Sequence, residues 1–316
     1  MKITVLDGHA ANPGDVSWDA IRALGDVTVY DRTPREKIIE RIADSDIILL
    51  NKIPITRDIF ARCPSLRYIG VLATGYNVVD TAACREKGIT VTNIPAYSTE
   101  AVAQHVFAFL LEFTNRVAAH SASVHDGDWT NCPDFCYWLS PLTELRGKTI
   151  GIFGFGTIGR KVAEIAHAFG MNVIVRTHGE RSYTGGEKSV PTEELFRQSD
   201  VVTLHAPLTA ETENLVNEKM LALMKPTAYL INTARGGLVD ERAVRDALDA
   251  KRIAGYAADV ARDEPMSADC PLRNAPNCLI TPHIAWAPRE TRERLLAVAA
   301  ENIAAFLRGT PQNVVS

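Results

Sequence analysis

Two α/β domains, each built on a doubly wound parallel sheet, are predicted from three features of this 316-residue chain. Short apolar runs alternate with helical patterns along almost its whole length. One such repeat, Thr149 to Thr177, sets glycines at the G-x-G-x-x-G spacing between a strand and a helix. The length suffices for two cores of ordinary domain size.

In the first domain, residues 2–7, 27–31, 46–50, 67–72 and 89–94 read as apolar strands, with helical patterns near 16–24, 34–43, 56–62 and 79–87. The loop Ala73-Thr74-Gly75-Tyr76-Asn77 follows the fourth strand, where its backbone N–H groups could hold an anion. A glycine turn with no ligand is an equal reading. Pro95 to Ser98 breaks the pattern, and Ser98 is placed to cap a long helix with Glu100 in its first turn. Ala101, Val102, His105, Val106, Phe109, Leu110 and Phe113 form the apolar face of that helix, which serves as an interdomain hinge in this reading. From His120 to Leu142 the chain reads as irregular. Its aromatics Trp129, Phe135, Tyr137 and Trp138 would be costly in water, which favours an arm on a second subunit over a lid on its own domain.

The second domain is organised around the glycine-containing unit. The strand Thr149 to Phe153 and the helix carrying Ile158, Val162, Ile165, Ala166 and Phe169 lead to a second strand, Val173 to Val175. Gly154 permits a tight turn, Gly156 lets backbone approach a pyrophosphate, and Gly159 lets helix meet strand. The helix N-terminus then faces the phosphates with free N–H groups and a positive dipole end. Four more buried strands, 201–204, 228–232, 253–258 and 279–280, end in His205-Ala206-Pro207, Thr233-Ala234-Arg235-Gly236-Gly237, Asp259-Val260 and Thr281-Pro282-His283. A final helix, about 290–308, is expected to return to the first domain.

Composition excludes several functions. A net charge of −4 leaves no electrostatic footprint for nucleic acid or an anionic membrane. No apolar run approaches a membrane span, and Met1 to Asp7 reaches an acidic residue too soon for a signal peptide, so a cytoplasmic location is expected. The six cysteines are scattered, as suits reduced thiols, and no metal site is expected.

Arg235, Glu264 and His283 all follow strand ends of one sheet. Each could be bland alone: a surface ion pair, a loop charge, a satisfied histidine. Together they meet the needs of hydride transfer to a carbonyl beside a carboxylate. Charge growing on the carbonyl oxygen calls for a proton donor near neutrality, which imidazole supplies. A carboxylate on the other ring nitrogen fixes the ring, and a guanidinium offers a planar fork to the substrate.

With these residues in view, the chain resembles the D-isomer-specific 2-hydroxyacid dehydrogenase family. The matching stretches run nearly end to end: Ala73 to Asn77, Pro95 to Ala103, Gly154 to Gly159, His205 to Thr209, Asn232 to Gly237, Asp259-Val260, Glu264-Pro265 and Thr281 to Trp286. The resemblance implies His283 as general acid/base, Glu264 as its partner, Arg235 as substrate-orienting, and the amides around Thr74 and Gly75 as the carboxylate site. It implies cofactor contacts from Gly154, Gly156, Thr157, Ile158, Gly159, Arg176, Thr177, His205, Ala206, Pro207, Thr233, Ala234 and Asp259. It further implies a flavodoxin-like substrate domain (1–98 plus 288–316), a Rossmann cofactor domain (99–287), and a homodimer through the cofactor domain. Tyr97 to His105 and Ile284 to Ala287 look most like the glycerate dehydrogenase (hydroxypyruvate reductase) branch, which points to hydroxypyruvate, glyoxylate and D-glycerate as substrates.

One departure bears on the cofactor, NAD or NADP. Where NAD-users of the family carry an acidic residue after the second strand, this chain has Thr177, between Arg176 and His178 and near Arg181. Arginine welcomes a 2′-phosphate that an acid repels, so NADP use at least comparable to NAD is expected. Alternatives are phosphoglycerate, formate or phosphite oxidation, and a dinucleotide-sensing corepressor-like protein. A phosphorylated substrate wants more basic residues near Ala73–Asn77, and Lys52 and Arg57 are the nearest in sequence. A corepressor is expected to carry disordered tails, and none follows Gln312.

Overall fold

Polar residues stop the opening strands earlier than their apolar runs do. In the computed structural model, which describes residues 1–177 and 185–316, β1 (Lys2–Val5) ends before Asp7, whose carboxylate accepts the Asn51 and Lys52 amides at 2.8 and 2.7 Å. A short helix, α1 (Gly8–Ala11), follows, too brief to show a period in sequence. Next come α2 (Asp19–Arg22), β2 (Asp26–Val29), α3 (Ile38–Ile42), β3 (Ile47–Leu50), α4 (Arg57–Phe60), β4 (Tyr68–Val71), α5 (Thr81–Glu86) and β5 (Thr90–Thr92). Every residue of β3 and β4 is buried, as expected of strands covered on both faces. The sheet is wholly parallel in the order β2-β1-β3-β4-β5, the flavodoxin-like order.

The second unit, Thr99–Ala285, opens with α6 (Thr99–Asn115). Val106, Leu110 and Phe113 are buried along it, each contributing about 1.5–3 kcal/mol. Here the sequence reading needs two corrections. His120 is not the start of an irregular stretch, because Arg116 turns left-handed (φ 47°) and a new helix, α7 (Val117–His125), begins at once. Only Ser123 of α7 is buried, so it carries no apolar stripe by which to recognise it. Tyr137 is half-buried rather than exposed, its hydroxyl bonded to Ser123 Oγ at 2.8 Å. Trp129, Phe135 and Trp138 are exposed as expected.

β6 (Thr149–Phe153), α8 (Thr157–Ala168) and β7 (Asn172–Arg176) form the predicted β-α-β unit. They are followed by β8 (Lys188–Ser189), α9 (Thr192–Gln198), β9 (Val201–Leu204), α10 (Glu218–Leu223), β10 (Tyr229–Asn232), α11 (Glu241–Asp249), β11 (Gly255–Ala258) and β12 (Cys278–Ile280). Among the described residues the sheet is parallel throughout, in the order β12-β11-β10-β9-β6-β7-β8. β8, two exposed residues long, leaves no apolar run in the sequence. β12 is only half-buried because it is an edge strand, whereas its apolar sequence reads as core. Strand order reverses at the β6/β9 junction, so ligands of this sheet are expected beyond the carboxyl ends of β6 and β9.

After Ala285 the chain rejoins the first unit, which comprises Met1–Ser98 and Trp286–Ser316. Its last helix, α12 (Arg289–Leu307), seats Leu295, Leu296 and Ile303 in the core with Tyr68 and Ile3. Buried Arg292 clamps Asp15 through two 2.6 Å hydrogen bonds. Among the described residues no helix is long and apolar enough to cross a membrane.

Candidate active site

Gly154 and Gly159 owe their identity to packing, and Gly156 does not. Gly154 has φ 96°, and a Cβ there would lie 2.6 Å from the carbonyl carbon and oxygen of His205. A Cβ on Gly159 would lie 2.3 Å from the Gly154 oxygen. Around Gly156 a Cβ would meet nothing within 4 Å. Gly156 precedes α8, whose first turn has no side-chain cap, leaving its N–H groups for a ligand. A concavity of about 400 Å³ opens beside it, lined by Thr99, Glu100, Gly156, Thr157, Arg160, Lys161 and Glu164. Arg160 lies over the Phe155 ring at 4.8 Å, and Lys161, hydrogen-bonded to Glu164, titrates above its ordinary value. Ile158 points the other way, against the core.

The neighbouring strand ends carry the other predicted residues. His205 follows β9, its Nε2 2.9 Å from the Thr203 hydroxyl, and burial pushes its pKa down to about 3, so the ring is neutral at pH 7. Ala206 is buried and the Pro207 carbonyl accepts from Thr212 at 2.8 Å. Beyond β10, Asn232 clamps the turn, donating to the Arg235 carbonyl at 2.9 Å and accepting the Ala234 amide at 3.0 Å. Arg235 is exposed, and its Nη1 donates to the Ala234 carbonyl at 2.7 Å. The Thr233 hydroxyl is buried with no hydrogen-bond partner among the described residues. An orphaned hydroxyl beyond β10, at the same carboxyl edge of the sheet as the glycine turn and the uncapped helix start, fits a site that a dinucleotide completes.

Beyond β12, His283 adopts the left-handed region with φ 56°. Its Nδ1 lies 2.7 Å from Glu264 Oε2, so Nδ1–H donates to the carboxylate and Nε2 is left for another partner. Asp259, after β11, is 1% exposed. It accepts the Thr281 hydroxyl at 2.6 Å and the Ile284 and Ala285 amides at 2.8 Å each. His105 of α6 completes this group, its Nε2 3.0 Å from Thr281 Oγ1. In sequence His105 belongs to the apolar face of α6. A histidine at an apolar position was the only local sign, since its partner is remote in sequence.

Arg176 donates to the Thr177 carbonyl at 2.8 Å and the Thr192 hydroxyl at 3.3 Å. His178 and Arg181 lie outside the described residues. In the first unit, the Thr74 hydroxyl donates to the Ile94 carbonyl at 2.9 Å and Asn93 donates to the Thr74 carbonyl at 2.7 Å. This orders the loop that contains Gly75. Arg57 is engaged by Glu86 through two hydrogen bonds, at 2.5 and 2.9 Å.

Residues 107–285 match the family described as D-isomer specific 2-hydroxyacid dehydrogenase, NAD binding domain. A hydroxypyruvate reductase of Blautia hydrogenotrophica is 47% identical over the full length of both chains. A glycerate dehydrogenase of Methylorubrum extorquens is 40% identical, covering 89% of this chain and 88% of its own. Among solved structures, an acyclic imino acid reductase in complex with NADPH and D-Arg superposes with a TM-score of 0.87 at 36% identity, over the full length of both chains. A D-lactate dehydrogenase with NAD+ from Lactobacillus jensenii gives 0.83 at 26% identity, also over the full length of both.

Proposed function

We propose, starting from the fact that the chain belongs to the D-isomer-specific 2-hydroxyacid dehydrogenase family, that it reduces hydroxypyruvate and glyoxylate to D-glycerate and glycolate, and runs the reverse. The observation that carries this reading is the His283–Glu264 pair at 2.7 Å, on the same sheet edge as Arg235 and the glycine turn. The relatives named hydroxypyruvate reductase and glycerate dehydrogenase support the choice of substrate. A nicotinamide dinucleotide, when bound, supplies the hydride.

The chain's own residues do the rest. His283 gives the proton on Nε2 to the oxygen that becomes the hydroxyl, and takes it back in the oxidative direction. Glu264 holds Nδ1–H and faces the ring with a negative charge while it is protonated. Arg235 presents its fork to the substrate carboxylate and carbonyl. The amides of Thr74 and Gly75 are proposed to hold the carboxylate. The amides from Gly156 through Ile158 hold the pyrophosphate at the start of α8, with Gly154 and Gly159 shaping the turn. His205, Ala206, Pro207, Thr233, Ala234 and Asp259 complete the proposed dinucleotide site, and Arg176 and Thr177 its ribose end. Residues 1–98 with 288–316 form the proposed substrate domain, and 99–287 the cofactor domain. A panel of small 2-oxo acids assayed with NADH and NADPH tests the reading. Turnover of hydroxypyruvate or glyoxylate well above that of larger or phosphorylated acids is expected, and the reverse order sinks the substrate assignment. Engagement of Arg57 by Glu86 already argues against its recruiting a phosphorylated substrate.

No acid stands at Arg176 or Thr177, and a relative in structure holds NADPH. NADPH is therefore expected to serve at least as well as NADH, and Arg176→Ala to raise the KM for NADPH about tenfold, some 1.4 kcal/mol, while leaving that for NADH unchanged. A strong preference for NADH that the substitution does not alter refutes it.

We assign the segment after α7 to a homodimer contact. Phe135 is 89% exposed, Trp138 66% and Trp129 53%, a cost in water that a second copy removes. Sedimentation should show a dimer for the parent chain and a monomer for the double variant Phe135→Ser, Trp138→Ser. A monomeric parent ends this assignment.

A further inference from the structure

The loop from Thr281 to Ala285 places His283 in a conformation that non-glycine residues adopt at a cost of about 1–3 kcal/mol, so its surroundings must hold it there. Within the loop, the His283 amide donates to the Thr281 carbonyl at 2.9 Å. The remaining support converges on buried Asp259. Its Oδ1 accepts Thr281 Oγ1–H and the Ile284 amide, and its Oδ2 accepts the Ala285 amide. These three donors bracket His283 on both sides in sequence.

The hydrogen bonds of the Thr281 hydroxyl fix the role of His105. The Thr281 hydroxyl has one hydrogen, and at 2.6 Å it belongs to the Asp259 carboxylate. Its oxygen can therefore only accept from His105 Nε2, 3.0 Å away, which must carry a proton. The ring is held for this by an edge-on contact with Phe109, centroids 4.6 Å apart at 83°. Burial depresses the basicity of His105 despite the opposing charge of Asp259, as suits a neutral Nε2–H donor.

We propose that His105 is a positioning residue for the reduction: through the Thr281 hydroxyl it orients Asp259, and through Asp259 the two amides that hold His283 in place. This rests on His283 being the acid/base. His105 touches neither the substrate nor His283 in this scheme. Its effect is on how often the imidazole stands where its Nε2 can reach the reacting oxygen.

Three single variants test it: His105→Leu removes the donor, His105→Gln returns an N–H at similar reach, and Thr281→Val keeps the shape of the threonine without its hydroxyl. His105→Leu and Thr281→Val are each expected to lower kcat by about 10–100-fold. His105→Gln should recover most of that loss. The double variant His105→Leu, Thr281→Val should be no slower than Thr281→Val alone, because both act through one relay. Parental kcat in both single variants, multiplying losses in the double variant, or a glutamine variant as slow as the leucine one overturns the proposal. If His105→Leu does not fold, Thr281→Val and His105→Gln still decide it. His283→Ala run in parallel separates the two readings. Near-parental turnover there removes the acid/base assignment itself, whereas an inactive His283→Ala beside a fully active His105→Leu removes only the relay.

Discussion

Replacing His283 by alanine lowers kcat by about 10²–10⁴-fold and leaves dinucleotide affinity nearly unchanged. The expectation follows from where the ring stands. Nδ1 is committed to Glu264, so Nε2 is the nitrogen free to exchange a proton with substrate. Alanine removes that proton donor and leaves the α8 N-terminus and the glycine turn intact. Because residue 283 has φ 56°, alanine also introduces some backbone strain, and His283→Asn is the better-tolerated control, asparagine being at home in that region. Both variants should be inactive, and both should bind NADH as the parent does in a fluorescence titration. Turnover close to the parent's in either one means that another group delivers the proton.

Gly154→Ala should damage fold and cofactor site together. The residue is left-handed at φ 96°, and its new Cβ would press on backbone atoms of His205 and Ala206 at 2.6 to 2.7 Å, none of which can swing aside. Strain of about 1–3 kcal/mol and overpacking of about 1–3 kcal/mol add to about 2–6 kcal/mol. That corresponds to a melting midpoint lower by about 5–20 °C in a unit of this size. Dinucleotide binding should weaken with it, because the same junction of β6 and β9 is where strand order reverses. Gly156→Ala offers the contrast. Nothing lies within 4 Å of its missing Cβ, so the melting midpoint should hold while dinucleotide affinity falls. If Gly154→Ala melts and binds as the parent does, the turn is not constrained as described.

What could be read without coordinates was whatever the chain encodes locally. The β-α-β unit from Thr149 to Arg176 was legible because burial on both faces of a strand and one face of a helix leaves different periods in the sequence. The His283–Glu264 pair was legible too, since both residues follow the ends of adjacent parallel strands and stand only nineteen positions apart. α7 was missed because a helix with a single buried residue has no apolar period, and Tyr137 because its hydroxyl found Ser123 across a turn.

The amino-acid sequence by itself determined the two α/β units, the glycine turn and the residue types at each strand end, because these follow from periodicity and from chemistry confined to a few neighbouring positions. Only the tertiary structure decided that His105 meets Thr281 across 176 positions, that both Asp259 oxygens are drawn into the loop carrying His283, and that Gly156 alone of the three glycines faces open space. Such pairings depend on which elements the sheet brings side by side, and residues far apart in the chain carry no local mark of the partner they will find.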